Sequence, residues 1–291
     1  MTRFSQPSFL GGPPQPLVLT MDGQGRTPFE LYRLIAPTSQ PSFLLDSGKG
    51  TDGGARYSFL GSSPFSVLTG RQGQASLRTH EGRECSSNDP FGSLCRLFAG
   101  PQIEASPGLP AFWGGAVGYL SYDLVRGFET LPSIAKDDLL LPHLQFGLYD
   151  IIIAVDHQTD RQQIIFCPPM ERFLGEPREK LYREGLDRLA EWETRLSGRP
   201  APLKNLPPLD QMDFHPNQMR DAYLDRVRRC QEYIAAGDIY QANLSHRFTL
   251  HPPAPITMAR IDSPTSRNSI DVCRLSTPRP SQVSCTSTMS H

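Results

Sequence analysis

The chain has 291 residues, which is long enough for one large domain or two small ones. Its formal net charge of −1 provides no overall field to attract nucleic acid or an anionic membrane, and no apolar run approaches the length of a membrane span. Apolar residues make up 38%, beside 28 prolines and 24 glycines, so we expect a soluble, turn-rich, cytoplasmic protein of which part is not packed.

The amino-terminal part is predicted to contain short elements separated by turns. Residues 1–15 have no apolar signal-peptide core and are expected to be a flexible lead. Apolar and alternating runs follow, and all are expected to be strands except the second, which fits a helix or a strand. These segments are Pro16–Thr20, Phe29–Ile35, Pro41–Asp46, Arg56–Leu60 and Phe65–Thr69. The loop Gly48–Gly54 lacks the Gly-Lys-Ser/Thr ending of a P-loop, so we interpret it as a flexible hairpin connection.

The middle of the chain predicts a helix, a glycine-rich sheet segment and a hairpin. Asp89 followed by Pro90 is typical of a helix start. The expected apolar side of that helix consists of Phe91, Leu94, Cys95 and Phe98. Paired glycines beside aromatic residues in Ala111–Glu129 indicate close backbone packing inside a sheet. Leu144–Asp156 predicts one or two apolar strands, and the turn before Gln162–Cys167 completes a β-hairpin.

Two helices and one strand are predicted further along. Arg178–Leu196 is a charged helix, and its apolar side consists of Leu181, Leu189, Trp192 and Leu196. A second helix would begin at Asn217 as N-cap and end at Gly237. Its apolar stripe is Met219, Tyr223, Val227, Cys230 and Ile234. From Ile239 to Phe248 the apolar period becomes two, which predicts a strand with one polar face.

Three stretches, in this order and spacing, resemble the first half of the large, chorismate-using subunits of two synthases. The stretches are LLDSG…ARYSFLGSSP (Leu44–Pro64), GGAVGYLSYDLVRGFETLP (Gly114–Pro132) and YIAAGDIYQANLSHRF (Tyr233–Phe248). The subunits are component I of aminodeoxychorismate (para-aminobenzoate) synthase and component I of anthranilate synthase, and the resemblance covers roughly residues 15–250. Asn243 and the run Leu45-Asp46-Ser47 favour the aminodeoxychorismate branch, because anthranilate synthases more often carry Val and Leu-Leu-Glu-Ser at the matching positions.

The resemblance implies a fold and a reaction. The fold is α+β and anthranilate synthase component I-like, with antiparallel sheets packed face to face and helices outside, here truncated. In the reaction, ammonia from a glutamine amidotransferase subunit (component II) replaces the 4-hydroxyl of chorismate with the assistance of Mg²⁺. The product, 4-amino-4-deoxychorismate, leads to para-aminobenzoate and folate. The alternative is a fragment of anthranilate synthase component I, which serves tryptophan biosynthesis.

The resemblance also implies a pocket that holds tryptophan in several relatives. The matching positions are Asp46, Ser47, Arg56, Tyr57, Ser58, Tyr240 and Gln241. An arginine could hold a carboxylate through two hydrogen bonds, Asp or Ser could accept from an ammonium group, and aromatic rings could pack an indole. The alternative for Arg56 is a structural salt bridge between sheets. A non-catalytic, tryptophan-binding regulatory module is therefore a second hypothesis for function.

The family pattern stops after Phe248. The Asn-Pro-x-Pro and Ser-Pro-Glu segments, the magnesium-binding glutamates and the basic cluster for the substrate carboxylates are not found. Residues 252–291 contain no Phe, Tyr, Trp, Gly, Glu or Lys, and 19 of these 40 residues are Ser, Thr or Pro. Such a segment buries too little apolar surface to offset its ordering entropy. A frameshift near residue 255 is our interpretation, with a natural disordered tail or a non-functional gene product as alternatives.

These observations predict five regions. They are a lead (1–15), the component I amino-terminal region (16–197), a proline-rich linker (198–212), the start of the chorismate-binding region (213–250) and an aberrant tail (251–291). We predict no catalytic residue and no metal ligand in this chain. The six cysteines form no CxxC pair, and His143, His157, His215 and His246 have no Cys or Ser partner at motif spacing. The chain is therefore expected to bind no Mg²⁺ and to be inactive alone.

Overall fold

The computed structural model describes residues 3–4, 7–36, 40–47, 56–100, 103, 108–134, 137–200 and 213–251. These residues divide into two compact units, one extending to Pro200 and the other comprising 213–251. The predicted loop Gly48–Gly54, most of the predicted linker and the predicted tail from residue 252 lie outside the described residues.

Thirteen strands and six α-helices are found in the described ranges, together with a 3₁₀ helix at Tyr122–Gly127. The helices are α1 (Pro7–Leu10), α2 (Pro28–Ile35), α3 (Pro90–Leu97), α4 (Met170–Gly175), α5 (Arg178–Ser197) and α6 (Arg220–Ala236). The strands are β1 (Arg3–Phe4), β2 (Leu17–Asp22), β3 (Ser42–Leu45), β4 (Tyr57–Ser62), β5 (Ser66–Arg71), β6 (Gln74–Thr79), β7 (Glu84–Ser87), β8 (Gly115–Leu120), β9 (Leu144–Tyr149), β10 (Ile151–Asp156), β11 (Arg161–Phe166), β12 (Asp213–Pro216) and β13 (Phe248–His251). Most of the predicted elements are thereby confirmed, and Phe29–Ile35 is resolved as helical.

The first unit contains two antiparallel sheets. The six-stranded sheet has the order β1-β2-β11-β10-β4-β3, and the five-stranded sheet has the order β7-β6-β5-β9-β8. The apolar run Leu144–Asp156 forms two strands, and these belong to different sheets. The break falls at Asp150, whose buried carboxylate pairs with Arg188 of α5. The predicted hairpin is β10 and β11, and its register runs from Ile151 opposite Phe166 to Asp156 opposite Arg161.

Strand β10 is buried on both faces, and this explains its uninterrupted apolar sequence. Ile151, Ile153 and Val155 face the main core, which also contains residues of α2 and α5. Ile152 and Ala154 face a second cluster to which both sheets contribute. In that cluster Val18 and Ile165 come from the six-stranded sheet, whereas Tyr149 and Val117 come from the five-stranded sheet. The expected α+β architecture, with sheets packed face to face and helices outside, is confirmed.

Helix α5 covers the outer face of the six-stranded sheet with the apolar side that its sequence predicts. Leu181, Leu189, Trp192 and Leu196 are all at most 3% exposed. Gly185 lies in the same row, and a side chain there would meet Leu17 and Phe166 of the sheet. This small residue lets the helix approach the strands closely.

Helix α3 begins as predicted, with the side chain of Asp89 accepting a hydrogen bond from the Gly92 amide (2.8 Å). The predicted apolar side is only partly correct. Leu94 is buried, but Phe91 and Phe98 are 41% and 52% exposed, and Cys95 is exposed as well. An eight-residue helix has little more than two turns, and it packs Leu94 and the partly buried Leu97 against the core of the five-stranded sheet.

The prediction of a flexible lead at 1–15 is wrong for its described part. Pro7–Leu10 forms helix α1, and Phe9 is 1% exposed. The Phe9 ring contacts the rings of Phe173 and Tyr182, with centroid distances of 5.4 and 5.9 Å. The docking partners lie more than 160 residues away in the sequence, so local composition could not reveal them.

In the second unit, α6 ends at Gly237, whose φ of 81° is the left-handed conformation predicted for the helix end. Two expectations are wrong. Met219 rather than Asn217 is the N-cap, and Asn217 instead accepts a hydrogen bond from the Arg247 amide. The predicted strand Ile239–Phe248 is not formed, because in the described part of this unit only Phe248–His251 pairs, with β12. Alternation shows that a segment suits a sheet, but a strand also requires a hydrogen-bonding neighbour.

Candidate functional site

The predicted pocket residues of the first unit converge where β3, β4 and β10 lie side by side. Asp46 and Ser47 directly follow β3, and Arg56 directly precedes β4. Leu45 pairs with Phe59, and Asp156 pairs with Tyr57. The antiparallel register therefore places the end of β3, the start of β4 and the end of β10 at one corner of the six-stranded sheet.

Ser58 is the buried centre of this corner, with no exposed surface. Its hydroxyl donates to Asp46 Oδ1 (3.2 Å) and accepts from the Ser47 backbone amide (3.1 Å). A third partner is His157 Nε2, at 2.7 Å from Ser58 Oγ. The structure thus brings Asp46, Ser47 and Ser58 together as the sequence predicts.

Arg56 lies at the same corner, and its guanidinium is bound to Asp156. Nη2 donates to Oδ2 at 2.7 Å, and Nε lies 3.2 and 3.1 Å from the two carboxylate oxygens. The Asp156 side chain is only 9% exposed, whereas that of Arg56 is 47% exposed. Hydrogen bonding from Arg56, aided by the Gln158 amide, lowers the pKa of Asp156 to about 2. The salt bridge considered for Arg56 is therefore present, and it joins two strands of one sheet.

Tyr57 provides an aromatic surface beside this ion pair. The Arg56 guanidinium carbon lies 4.8 Å from the centre of the Tyr57 ring, within range of a cation–π interaction. The Tyr57 ring also stacks with the Phe59 ring, at a centroid distance of 6.0 Å. The corner therefore combines the Asp46 carboxylate with the Arg56–Asp156 ion pair and a stacked aromatic pair.

Tyr240 and Gln241 belong to the second unit and lie in the segment without regular pairing. Tyr240 is 93% exposed. The Gln241 side-chain amide donates only a long hydrogen bond, of 3.5 Å, to Asn243 Oδ1. Their proposed share in a pocket remains a prediction from the sequence.

Sequence reasoning missed two members of the site, Asp156 and His157. In the sequence, Asp156 ends an apolar strand and His157 follows it in a polar turn, and no Cys or Ser stands at motif spacing from His157. Its serine partner is 99 residues away in the chain. The polar turn after a buried strand was the available signal, but the pairing of β10 with β4 was required to interpret it.

Among the residues that the structure describes, no group of three or more His, Cys, Asp or Glu side chains is placed to hold a metal ion. That the chain binds no Mg²⁺ stays a prediction from the sequence. Mg²⁺ in carbonyl and phosphate chemistry is held by carboxylate oxygens together with substrate. The Asp46 and Asp156 carboxylates do not form such a set, since Asp156 is bound to Arg56.

Among the residues that the structure describes, no helix is long and apolar enough to cross a membrane.

Comparison with known proteins identifies relatives over most of the chain. The sequence model of the family described as chorismate binding enzyme matches residues 40–267, and so extends past the boundary near 250 that the motifs predicted. Anthranilate synthase component 1 of Thermus thermophilus is 34% identical over 247 residues, covering 82% of this chain and 49% of that protein. Aminodeoxychorismate synthase component 1 of Bacillus subtilis is 27% identical, covering 76% of this chain and 46% of that protein.

A solved structure gives the same answer for the fold. The crystal structure of anthranilate synthase component I from Streptococcus pneumoniae matches with a TM-score of 0.50 and 25% identity, covering 69% of this chain and 44% of that one. The chain therefore spans about half the length of the relatives it matches. The family resemblance recognised from three motifs is confirmed, and both branches are represented among the relatives.

Proposed function

Because this chain belongs to the family of chorismate binding enzymes, we propose that it is the amino-terminal portion of an aminodeoxychorismate synthase component I. The family match over residues 40–267 is the observation that carries the proposal. The branch is supported by Leu45-Asp46-Ser47 and by Asn243, together with the Bacillus subtilis relative. The corresponding whole enzyme would aminate chorismate at C4, with ammonia supplied by a glutamine amidotransferase as component II.

The present chain is proposed to lack activity by itself. Removal of the chorismate hydroxyl requires a metal ion and basic side chains that bind the two substrate carboxylates. The described residues offer neither a metal-binding cluster nor, at the corner around Ser58, an arginine free of an acidic partner. We propose that Mg²⁺ and chorismate would be bound by sequence absent from this chain.

Anthranilate synthase component I is the second candidate, and a specific observation favours it. The Thermus thermophilus relative of that name has the higher identity, 34% against 27% for the Bacillus subtilis relative of the other branch. Both products form from chorismate and ammonia, so the experiment below identifies the branch by its product.

The test combines the gene and the protein. The DNA downstream of codon 250 is read in all three frames. The chain is then expressed as it stands, and a second protein is expressed that continues in any frame encoding the missing motifs. Each protein is incubated with chorismate, ammonium and Mg²⁺, and the products are separated by liquid chromatography with mass detection. We expect no product from the chain itself and 4-amino-4-deoxychorismate from the restored protein. Anthranilate would contradict the branch, and turnover by the chain itself would contradict its inactivity.

We also propose that the corner formed by Asp46, Ser47, Arg56, Tyr57 and Ser58 binds the ammonium and aromatic parts of an amino acid, with tryptophan as the first ligand to test. Support comes from the hydrogen-bonded carboxylate of Asp46 and from the Tyr57–Phe59 stack, which belong to the same corner of the sheet. Titration calorimetry with tryptophan tests this on the full chain. Asp46→Asn should abolish the heat of binding, whereas the exposed Asp221→Asn should leave it unchanged. Absence of heat with a folded wild-type sample would contradict the pocket.

A further inference from the structure

His157 was not among the predicted pocket residues, yet it makes the shortest hydrogen bond to the buried serine of the corner. Ser58 Oγ lies 2.7 Å from His157 Nε2, compared with 3.1 Å from the Ser47 amide nitrogen and 3.2 Å from Asp46 Oδ1. Ser58 has no exposed surface, and among the described residues these three groups are the hydrogen-bond partners of its hydroxyl. The direction of each hydrogen bond then decides what Ser58 presents to Asp46.

The number of hydrogens and lone pairs on the Ser58 hydroxyl decides those directions. A serine hydroxyl has one hydrogen and two lone pairs. The Ser47 backbone N–H can only donate, so it occupies one lone pair. The Asp46 carboxylate can only accept when ionised, so it takes the hydroxyl hydrogen. The remaining lone pair faces His157, and it accepts a hydrogen bond if the imidazole carries its hydrogen on Nε2.

The other neutral form of the imidazole, with its hydrogen on Nδ1, does not fit this arrangement. Ser58 would then donate to Nε2, and a hydroxyl lone pair would face the Asp46 oxygen at 3.2 Å. Two facing acceptors at a part-buried contact are unfavourable.

We therefore propose that His157, with its hydrogen on Nε2, is a positioning residue that directs the Ser58 hydroxyl toward Asp46. This extends the amino-acid pocket proposed above and rests on it for its functional consequence. Asp46 would receive the ligand's ammonium group, and His157 would act on that contact only through Ser58.

The surroundings of His157 are suited to such a role. Its backbone N–H donates to the Arg56 carbonyl (2.9 Å), and the preceding Asp156 is held by the Arg56 guanidinium. The backbone of His157 is therefore held by the residue directly before β4, the strand that carries Ser58. Substitution of the side chain leaves that backbone bond in place.

A matched pair of variants tests the proposal in the full chain. His157→Gln keeps an N–H donor within reach of Ser58, whereas His157→Leu removes it. The first readout needs no ligand: hydrogen exchange at the Ser47 amide, measured by NMR, reports whether Ser58 Oγ stays in place. We expect exchange to accelerate by about tenfold or more in His157→Leu and to stay within about threefold of wild type in His157→Gln. The Ile153 amide, inside β10, serves as the folding control.

The second readout is the dissociation constant for tryptophan from calorimetry. We expect a weakening of about threefold to tenfold in His157→Leu and recovery in His157→Gln. Unchanged Ser47 exchange in His157→Leu, or equal acceleration in both variants, would overturn the positioning role. If wild type itself binds no tryptophan, the proposed pocket fails, and the exchange measurement alone decides whether His157 positions Ser58.

Discussion

The guanidinium of Arg56 and the carboxylate of Asp156 join the start of β4 to the end of β10, across 100 residues of sequence. The carboxylate is almost fully buried, and its pKa is lowered to about 2 mainly by the hydrogen bonds from Arg56. A carboxyl whose pKa is lower in the folded state contributes stability above its ordinary pKa of about 3.8. That contribution is lost as the pH falls from about 4 to about 2.

Removal of this cation should therefore shift acid unfolding. In Arg56→Met the buried Asp156 carboxylate keeps only its weaker partners, so we expect a loss of about 1–3 kcal/mol in the free energy of unfolding at pH 7. The acid midpoint, followed by circular dichroism, should move to higher pH. Arg83→Met provides the control, because Arg83 and its partner Glu81 are 79% and 66% exposed. Equal acid midpoints in the two variants would contradict the role of the Arg56–Asp156 pair.

The amino-terminal helix should contribute to stability through one side chain. Phe9→Ala removes a fully buried ring, and truncations of this kind cost about 3–5 kcal/mol. Urea unfolding monitored by tryptophan fluorescence measures the change. The neighbouring Leu10 is 47% exposed, so Leu10→Ala should change stability by less than about 0.5 kcal/mol. A Phe9 variant as stable as wild type would mean that the segment does not dock in solution.

Gly185 should resist a substitution that ordinarily favours helices. Alanine replaces glycine in an exposed helix with a gain of about 0.5–1 kcal/mol. At Gly185 the added Cβ would lie 2.5 Å from Leu17 and 2.7 Å from Phe166, both buried in the core. We expect Gly185→Ala to lose about 1–3 kcal/mol through overpacking, measured as a lower thermal midpoint. Gly175→Ala, with no neighbouring atom within 4 Å of the new Cβ, should show no such loss.

Gly118 should be required for the pairing of β8 with β9. A Cβ at this position would stand 1.9 Å from the Gln145 carbonyl oxygen and 2.7 Å from the Phe146 Cα, and backbone atoms cannot move aside as a flexible side chain can. We expect Gly118→Ala to destabilise the edge of the five-stranded sheet, seen as faster amide exchange along Gly115–Leu120. Gly127→Ala, whose Cβ meets nothing within 4 Å, is the matched control. Protection of β8 equal to wild type would refute the close approach.

Much of the local structure could be predicted from the sequence because its causes are local. The apolar row of α5, the Asp89 cap and the Gly237 helix end each depend on residues within a few positions of one another. Three motifs in order were sufficient to identify the family. Three of the seven predicted pocket residues, Asp46, Ser47 and Ser58, are hydrogen-bonded neighbours in the structure, and the resemblance, rather than periodicity, supplied those positions.

What only the tertiary structure decided is which distant groups meet. The docking of Phe9 on Phe173, the bond between Ser58 and His157, and the pair Arg56–Asp156 each join residues about 100 or more positions apart. Ile239–Phe248 has the alternation of a strand but not the pairing, since hydrogen bonds to a neighbouring strand are not a property of the segment itself. The sequence by itself determined most of the elements and the family. The pairing of β4 with β10 decided what the site contains, because it sets Asp156 opposite Tyr57 and brings His157 within hydrogen-bond distance of Ser58.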